Sequence, residues 1–245
     1  MTLRIIAFKG SEITTLEQWS KTVRRSHWKP GRTAHSLADF IMNRSGAVRL
    51  AARISSVLSR QVVLEQGTPE YAARFGRYEG PARLDLGISG RTGRDESLFV
   101  GVEAKADEPF GSDTVCERWQ KARETLKSNP RSKAAARVRE LLSRYVGDDG
   151  EPCESRFAQV GYQLLTAAAG AVAVEADVSV LYVAVFRTLG YAEESGRRNR
   201  LDYDNFMRLS GGESLIQEDS GFLAHGLTLD EKRLVCIYEH LGPEG

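Results

Sequence analysis

The residues of this chain best suited to chemistry are an aspartate on one short apolar run and a Glu-x-Lys triplet closing the next. Asp85 lies within Arg83-Leu84-Asp85-Leu86-Gly87-Ile88, and Glu103-Ala104-Lys105 follows Leu98-Phe99-Val100-Gly101-Val102. If the two runs pair as a hairpin, the carboxylates and the ammonium converge at neighbouring strand ends. Facing carboxylates raise each other's pKa unless a cation lies between them. Oxygen ligands suit a hard cation such as Mg²⁺ or Mn²⁺, which keeps several waters. Such an ion acidifies water and stabilises charge on a phosphoryl oxygen. A neighbouring lysine then orients the attacking water or neutralises the transition state. The competing reading of Glu103 and Lys105 is an ordinary ion pair, and spacing alone does not choose between them.

The elements that must position these groups are legible nearby. Leu84, Leu86 and Ile88 alternate with Arg83, Asp85 and Gly87, the period of a strand with distinguishable faces. Residues 98–102 are almost wholly apolar, as in a central strand covered on both faces. The intervening residues 89–96 are rich in turn formers and charge, which predicts a hairpin. Glu103 and Lys105, two apart, share a face. Ionisable groups at the end of a buried run need a partner or a task.

This layout resembles the PD-(D/E)xK nuclease superfamily, with its restriction-endonuclease-like fold, and more narrowly an uncharacterised bacterial family within it. Three stretches carry the resemblance: His27-Trp28-Lys29-Pro30-Gly31-Arg32-Thr33-Ala34 with Leu37-Ala38, residues 102–111 around the Glu-x-Lys, and Gly161-Tyr162-Gln163-Leu164-Leu165-Thr166-Ala167. They span about the first three quarters of the chain. The resemblance implies Asp85 and Glu103 as metal ligands, Lys105 as the catalytic lysine, and Gln163 as a helix-borne glutamine beside the site. It implies Mg²⁺ or Mn²⁺ as cofactor and hydrolysis of DNA, with RNA a lesser possibility and a homodimer a further one. The superfamily's proline is absent, since Leu84 precedes Asp85. A fourth acidic ligand is open to Asp39 or Glu65. The alternative is a nuclease-fold module without catalysis, binding nucleic acid or protein in a bacterial defence or mobile-element system.

Composition fits one domain with a full core. The net charge of +1 provides no global basic field, so phosphate affinity has to be local. Cys116, Cys153 and Cys236 lack CxxC or His-Cys spacing, which points to neither a zinc site nor a disulfide framework. With no apolar stretch of signal or membrane length, a cytoplasmic protein without membrane contact is expected.

Along the chain, residues 3–8 read as a short strand. A helix capped by Thr33 or Ser36 is predicted to run to about Leu58, then a strand over 61–65 and an irregular stretch over 68–80. After the hairpin come a helix capped by Asp113 or Thr114, a basic helix over 131–144, a helix over 157–173 with a small-residue stripe, and a strand over 178–186. The resulting α-β-β-β-α-β order predicts an α/β fold with a mixed central sheet flanked by helices. Residues 1–32 and 190–245 are read as extensions of a single 1–245 domain. Within the second of these, 206–215 is read as loop and short helix, and 234–238 as a last strand.

Further groups have two readings each. Lys29 and Arg32 are candidate phosphate contacts, while Trp28 reads as a core plug. The basic helix over 131–144 reads as a solvated face rather than a duplex-binding one. Asp107 shares parity with Glu103, but Pro109 argues for a turn. His35, His225 and His240 lack ligand spacing. Arg197, Arg198 and Arg200 read as a solvated loop cluster.

Overall fold

A computed structural model describes all residues except 1–2, 79–80, 107, 148–149, 189–190, 192, 220 and 243–245. Its elements run β1 (Arg4–Ile5), α1 (Leu16–Ser20), α2 (Thr33–Asn43), α3 (Gly46–Leu58), β2 (Val62–Ala73), β3 (Ala82–Thr92), β4 (Ser97–Lys105), α4 (Val115–Ser128), α5 (Ala134–Val146), α6 (Tyr162–Ala173), β5 (Val178–Phe186), α7 (Glu193–Leu209), β6 (Glu213–Asp219), β7 (Phe222–Leu229) and β8 (Lys232–Leu241). The strands form one eight-stranded sheet in the order β1-β2-β3-β4-β5-β8-β7-β6. Strands β2, β3 and β4 form an antiparallel meander, β4, β5 and β8 run parallel, and β7 and β6 return antiparallel. The α/β class and the mixed sheet flanked by helices are as expected.

Helices cover both faces of the sheet. Trp19 of α1, Leu37 and Phe40 of α2, and Leu50 and Ile54 of α3 join Leu86, Val100, Val102, Tyr182 and Ile237 in one core. Leu141 of α5, Leu164 and Leu165 of α6, and Tyr203 and Phe206 of α7 join Leu84, Phe99, Leu181 and Val183 in the other. A central strand between two such layers has to be apolar on both sides, which is why β4 and β5 lack alternation. Helix α6 lies close on the sheet through its alanines. A Cβ on Gly170 would come within 2.8 Å of the Ala82 Cβ, so any larger residue there would lift the helix.

Several sequence expectations are corrected. The single helix over 33–58 is two, broken where Ser45 takes a left-handed φ of 54°. Gly46 permits the turn, since a Cβ there would meet the Phe40 carbonyl oxygen at 2.4 Å. Neither Thr33 nor Ser36 caps α2: Arg32 occupies the N-cap without a side-chain bond. The stretch read as irregular after residue 68 continues as β2 through Ala73, despite Pro69. The helix over 157–173 begins only at Tyr162. The tail read as mostly loop holds the long helix α7, with Arg197, Arg198 and Arg200 on it, and the β6–β7 hairpin. Thr114 caps α4 as expected, in a capping box with Glu117.

A disulfide joins Cys116 and Cys153, against the expectation of unpaired thiols. The two lie 37 residues apart, too far for local spacing to signal. They meet because the amides of Val115 and Cys116 bond the carbonyls of Val160 and Ala158, zipping the start of α4 to the segment before α6. Cys236 is free and buried. Among the described residues no helix is long and apolar enough to cross a membrane.

Candidate active site

The β3–β4 hairpin brings Asp85, Glu103 and Lys105 together. Backbone pairing runs from Arg91 opposite Ser97 to Leu86 opposite Val102. One step further, Asp85 is the residue opposite Glu103, and its Oδ2 accepts the Ala104 N–H at 2.8 Å. The strand changes parity here: Leu86 and Ile88 enter the α2–α3 core, whereas Leu84 enters the core under α6. The expected single apolar face of 84–88 is therefore split at the aspartate. Asp85, one residue from Leu86 and opposite Glu103, shares the face of Glu103 and Lys105 by the regular alternation of the hairpin.

Glu103 is 0% exposed and Lys105 2%, so both ionisable groups are deep in the sheet. Lys105 Nζ donates to Glu103 Oε1 at 2.9 Å. Gln163 Nε2, from the first turn of α6, donates to the same oxygen. Glu103 Oε2 is buried and has no hydrogen-bond partner among the described residues. Such an atom is costly unless something fills its lone pairs. Burial pushes the Glu103 carboxyl up to about 8, against the pull of Lys105 and with a further push from Asp85. Burial also raises Asp85, opposed by Lys105 and by the Ala104 amide. For Lys105, burial works against the charge, but Glu103, Asp85 and Glu108 outweigh it and raise the ammonium. The buried ring of Phe110 lies 5.6 Å from that ammonium.

A cleft of about 620 Å³ opens over this group, its wall including Asp85, Lys105 and Gln163. Glu103 is bonded to two of those three wall side chains rather than lining the wall itself. Exposed Lys29 and Arg32 also line the cleft with His27, at the entry to α2. Trp28 turns away, packing on the α2–α3 core with its ring 5.2 Å from that of His35. Trp28 is thus packed as the structural reading of this segment expected, while Lys29 and Arg32 line the cleft.

Two cleft carboxylates were not singled out from the sequence. Glu70 lies between Pro69, which pairs with Leu86, and Tyr71, which pairs with Leu84, so it sits across from Asp85. It has a left-handed φ of 52°, unusual for a non-glycine residue within a strand. Its carboxyl is raised by burial and then by Asp85. Proline at 69 disguised the strand; the acidic residue beside it was the available signal. Glu108 takes the Thr33 hydroxyl on Oε1 at 2.9 Å, beside the positive end of α2. It belongs to the turn expected after the Glu-x-Lys. Asp107 lies outside the described residues.

The structure does not bring Asp39 or Glu65 to the site. Asp39 pairs with Arg44 at 3.1 Å, and Glu65 with Arg91 at 3.4 Å. On α5, Arg137 and Arg144 stack 5.6 and 5.5 Å from the Phe75 ring, and Arg139 lies 4.8 Å from that of Trp119. These arginines are engaged within the fold.

Among the described residues no group of three or more His, Cys, Asp or Glu side chains forms a ready metal cage. Magnesium does not need one, because it is commonly held by one or two carboxylates with waters and substrate phosphate completing its shell. Asp85 and Glu103, the latter with a buried oxygen that has no partner, fit that donor set.

Residues 12–238 match the model of a family described as Domain of unknown function (DUF6946). That is most of the sequence, and the chain belongs to this family. No curated protein and no solved structure matches it.

Proposed function

We propose that this family member is a metal-dependent nuclease with a restriction-endonuclease-like core, hydrolysing phosphodiester bonds of DNA. The observation that supports this most is Glu103: fully buried, one oxygen held by Lys105 and Gln163, the other without a partner among the described residues, and its carboxyl raised in part by Asp85. A purely structural ion pair would satisfy its remaining oxygen or replace it with something apolar. The strand order around the hairpin, helix-β2-β3-β4-helices-β5, agrees with such a core.

In this reading Asp85 and Glu103 hold Mg²⁺ or Mn²⁺. The ion supplies Lewis acidity toward a phosphoryl oxygen and toward water. Lys105 remains charged because three carboxylates face it, and it presents its ammonium at the cleft. There it offsets charge that accumulates as the phosphate is attacked. Gln163 fixes the rotamer of Glu103. Lys29 and Arg32, exposed in the lining of the same cleft, contact the flanking phosphates.

Incubating the purified protein with plasmid DNA and Mg²⁺ or Mn²⁺ tests the reading. Nicking or linearisation is expected, lost in Lys105→Ala and Asp85→Ala proteins that retain the wild-type circular dichroism. Equal cutting by all three would discard it. The rival reading, an ordinary ion pair in a binding module, draws on the 2.9 Å contact between Lys105 and Glu103. It requires Mn²⁺ affinity that does not depend on Asp85 and Glu103, which calorimetric titration measures.

A further inference from the structure

A second cleft of about 570 Å³ adjoins the first, and Glu70 and Arg83 line both. Its far wall is a tight loop near the start of the chain. There the Ala7 amide bonds the Ser11 carbonyl and the Gly10 amide bonds the Ala7 carbonyl, each at 2.8 Å. Ile6 and Glu12 bridge beneath them. At the tip stand Phe8 and Lys9. Phe8 is 87% exposed, among the described residues the only aromatic of the four exposed large hydrophobics and the most exposed of them. A fold that buries Phe40, Phe75, Phe99, Phe110, Phe157, Phe186, Phe206 and Phe222 holds this one out on a hydrogen-bonded turn.

Lys9, Lys21 and Arg83 line the same cleft as Phe8, with Glu12 and Glu70 also on its wall, and Lys21 pairs with Glu17 at 3.1 Å. Arg83 continues into the cleft that holds Lys29 and Arg32. An aromatic face framed by lysine and arginine suits a nucleobase with its phosphates, because every base offers a π-face and the stack needs no sequence. A base within a duplex already stacks on its neighbours, so Phe8 can serve only an unpaired one.

We infer that the two clefts form one trough for a single strand: the scissile phosphate at Asp85, Glu103 and Lys105, Arg83 on the adjoining phosphate, and a neighbouring unpaired base on Phe8. This rests on the nuclease reading for the role of the first cleft, and it specifies the substrate as single-stranded or locally opened DNA.

Binding can be measured apart from cutting. Fluorescence anisotropy of a labelled oligothymidylate of about 12 nucleotides, within the usual site size, is followed in EDTA beside a hairpin duplex. Phe8→Ala is expected to weaken single-strand binding about 5- to 150-fold, the range for losing one stacked base, and to change duplex binding by less than about 2-fold. Arg83→Ala is expected to lower the salt dependence of single-strand binding by about one phosphate contact. The exposure of Phe8 makes misfolding an unlikely confounder, and an unchanged melting temperature verifies it.

Wild-type affinity in the Phe8→Ala protein, or equal losses for single strand and duplex, overturns the inference. A Phe8 that serves a protein partner instead yields the first of those results. The nuclease reading is judged separately, by cutting of circular single-stranded DNA and of plasmid with Mg²⁺ or Mn²⁺. Cutting with no effect of Phe8 on binding removes only the trough, whereas Phe8-dependent binding without cutting supports the trough and removes the nuclease.

Discussion

Asp85 accepts the Ala104 amide on Oδ2 at 2.8 Å, one residue beyond the last backbone pair of the hairpin. The side chain thus replaces a rung of the ladder with one oxygen and faces the cleft as a carboxylate. Asp85→Asn keeps a carbonyl oxygen for the amide and loses the charge. It is expected to remain within about 1 kcal/mol of wild type in urea unfolding while losing cleavage. Asp85→Ala strands the amide and is expected to cost about 1–3 kcal/mol. An Asp85→Asn protein that cuts like wild type would remove Asp85 from the metal site.

Lys105 and Glu103 form a buried pair, so the loss of either partner is expected to exceed the loss of both. Above pH about 8, where Glu103 is ionised, Lys105→Met leaves it near Asp85 without its cation, at a cost of about 3–5 kcal/mol. Adding Glu103→Gln is expected to recover much of that. A double-mutant cycle by chemical denaturation should return a coupling above about 1 kcal/mol. Additive losses would show that the contact at 2.9 Å contributes little.

The elevated Glu103 carboxyl gives metal binding a pH dependence. Between its ordinary value of 4.5 and about 8, the folded, metal-free protein holds a proton that the unfolded chain has released. The folded state then binds more protons, so its stability falls as pH rises through that window and levels off above about 8. A cation needs the deprotonated carboxylate, and binding below about 8 therefore expels a proton. Mn²⁺ affinity is expected to climb about tenfold per pH unit up to that point and then flatten. Calorimetric titrations in two buffers of different ionisation enthalpy count the released proton; a flat affinity over the same range would contradict the assignment.

Reduction of the Cys116–Cys153 disulfide reopens a loop of 37 residues that contains α4 and α5. On the chain-entropy account this lowers stability by about 2–4 kcal/mol. A matched fall in melting temperature is expected for the Cys116→Ser, Cys153→Ser double variant. Thiol labelling of the folded protein should find no rapid reactant before reduction and two after it, because Cys236 is buried. Rapid labelling of both cysteines without reductant would refute the bond.

The clustering of ionisable side chains was the most legible part of the sequence, because hydrophobic strands make misplaced charges conspicuous. Asp85, Glu103 and Lys105 stood out against Leu84, Leu86 and Val102, and Gln163 came through the resemblance. What was hidden depended on tertiary neighbours. Glu70 lies in a strand that Pro69 made look like a loop, and its relation to Asp85 exists only through the pairing of β2 with β3. Helix α7 has few apolar residues, and those it buries, Tyr203, Phe206 and Met207, cluster near one end, leaving the earlier turns without a helical signature. The pairing of Cys116 with Cys153 depends on contacts that no spacing rule contains.

The place of β8 has a consequence for how the chain comes off the ribosome. Although it is the last strand in the order of synthesis, it lies inside the sheet between β5 and β7. Its buried Glu239 binds Arg49 at 3.0 Å and Arg53 at 2.8 Å, both from α3, and receives the Tyr182 hydroxyl. Until residues 232–241 emerge, β5 keeps an open edge, the β6–β7 hairpin has nothing to join, and Arg49 waits for a carboxylate 190 residues further along the chain. From the synthesis of β5 to that of β8 the nascent protein therefore carries an unsealed, strongly apolar sheet edge, the interval in which a chaperone would serve it.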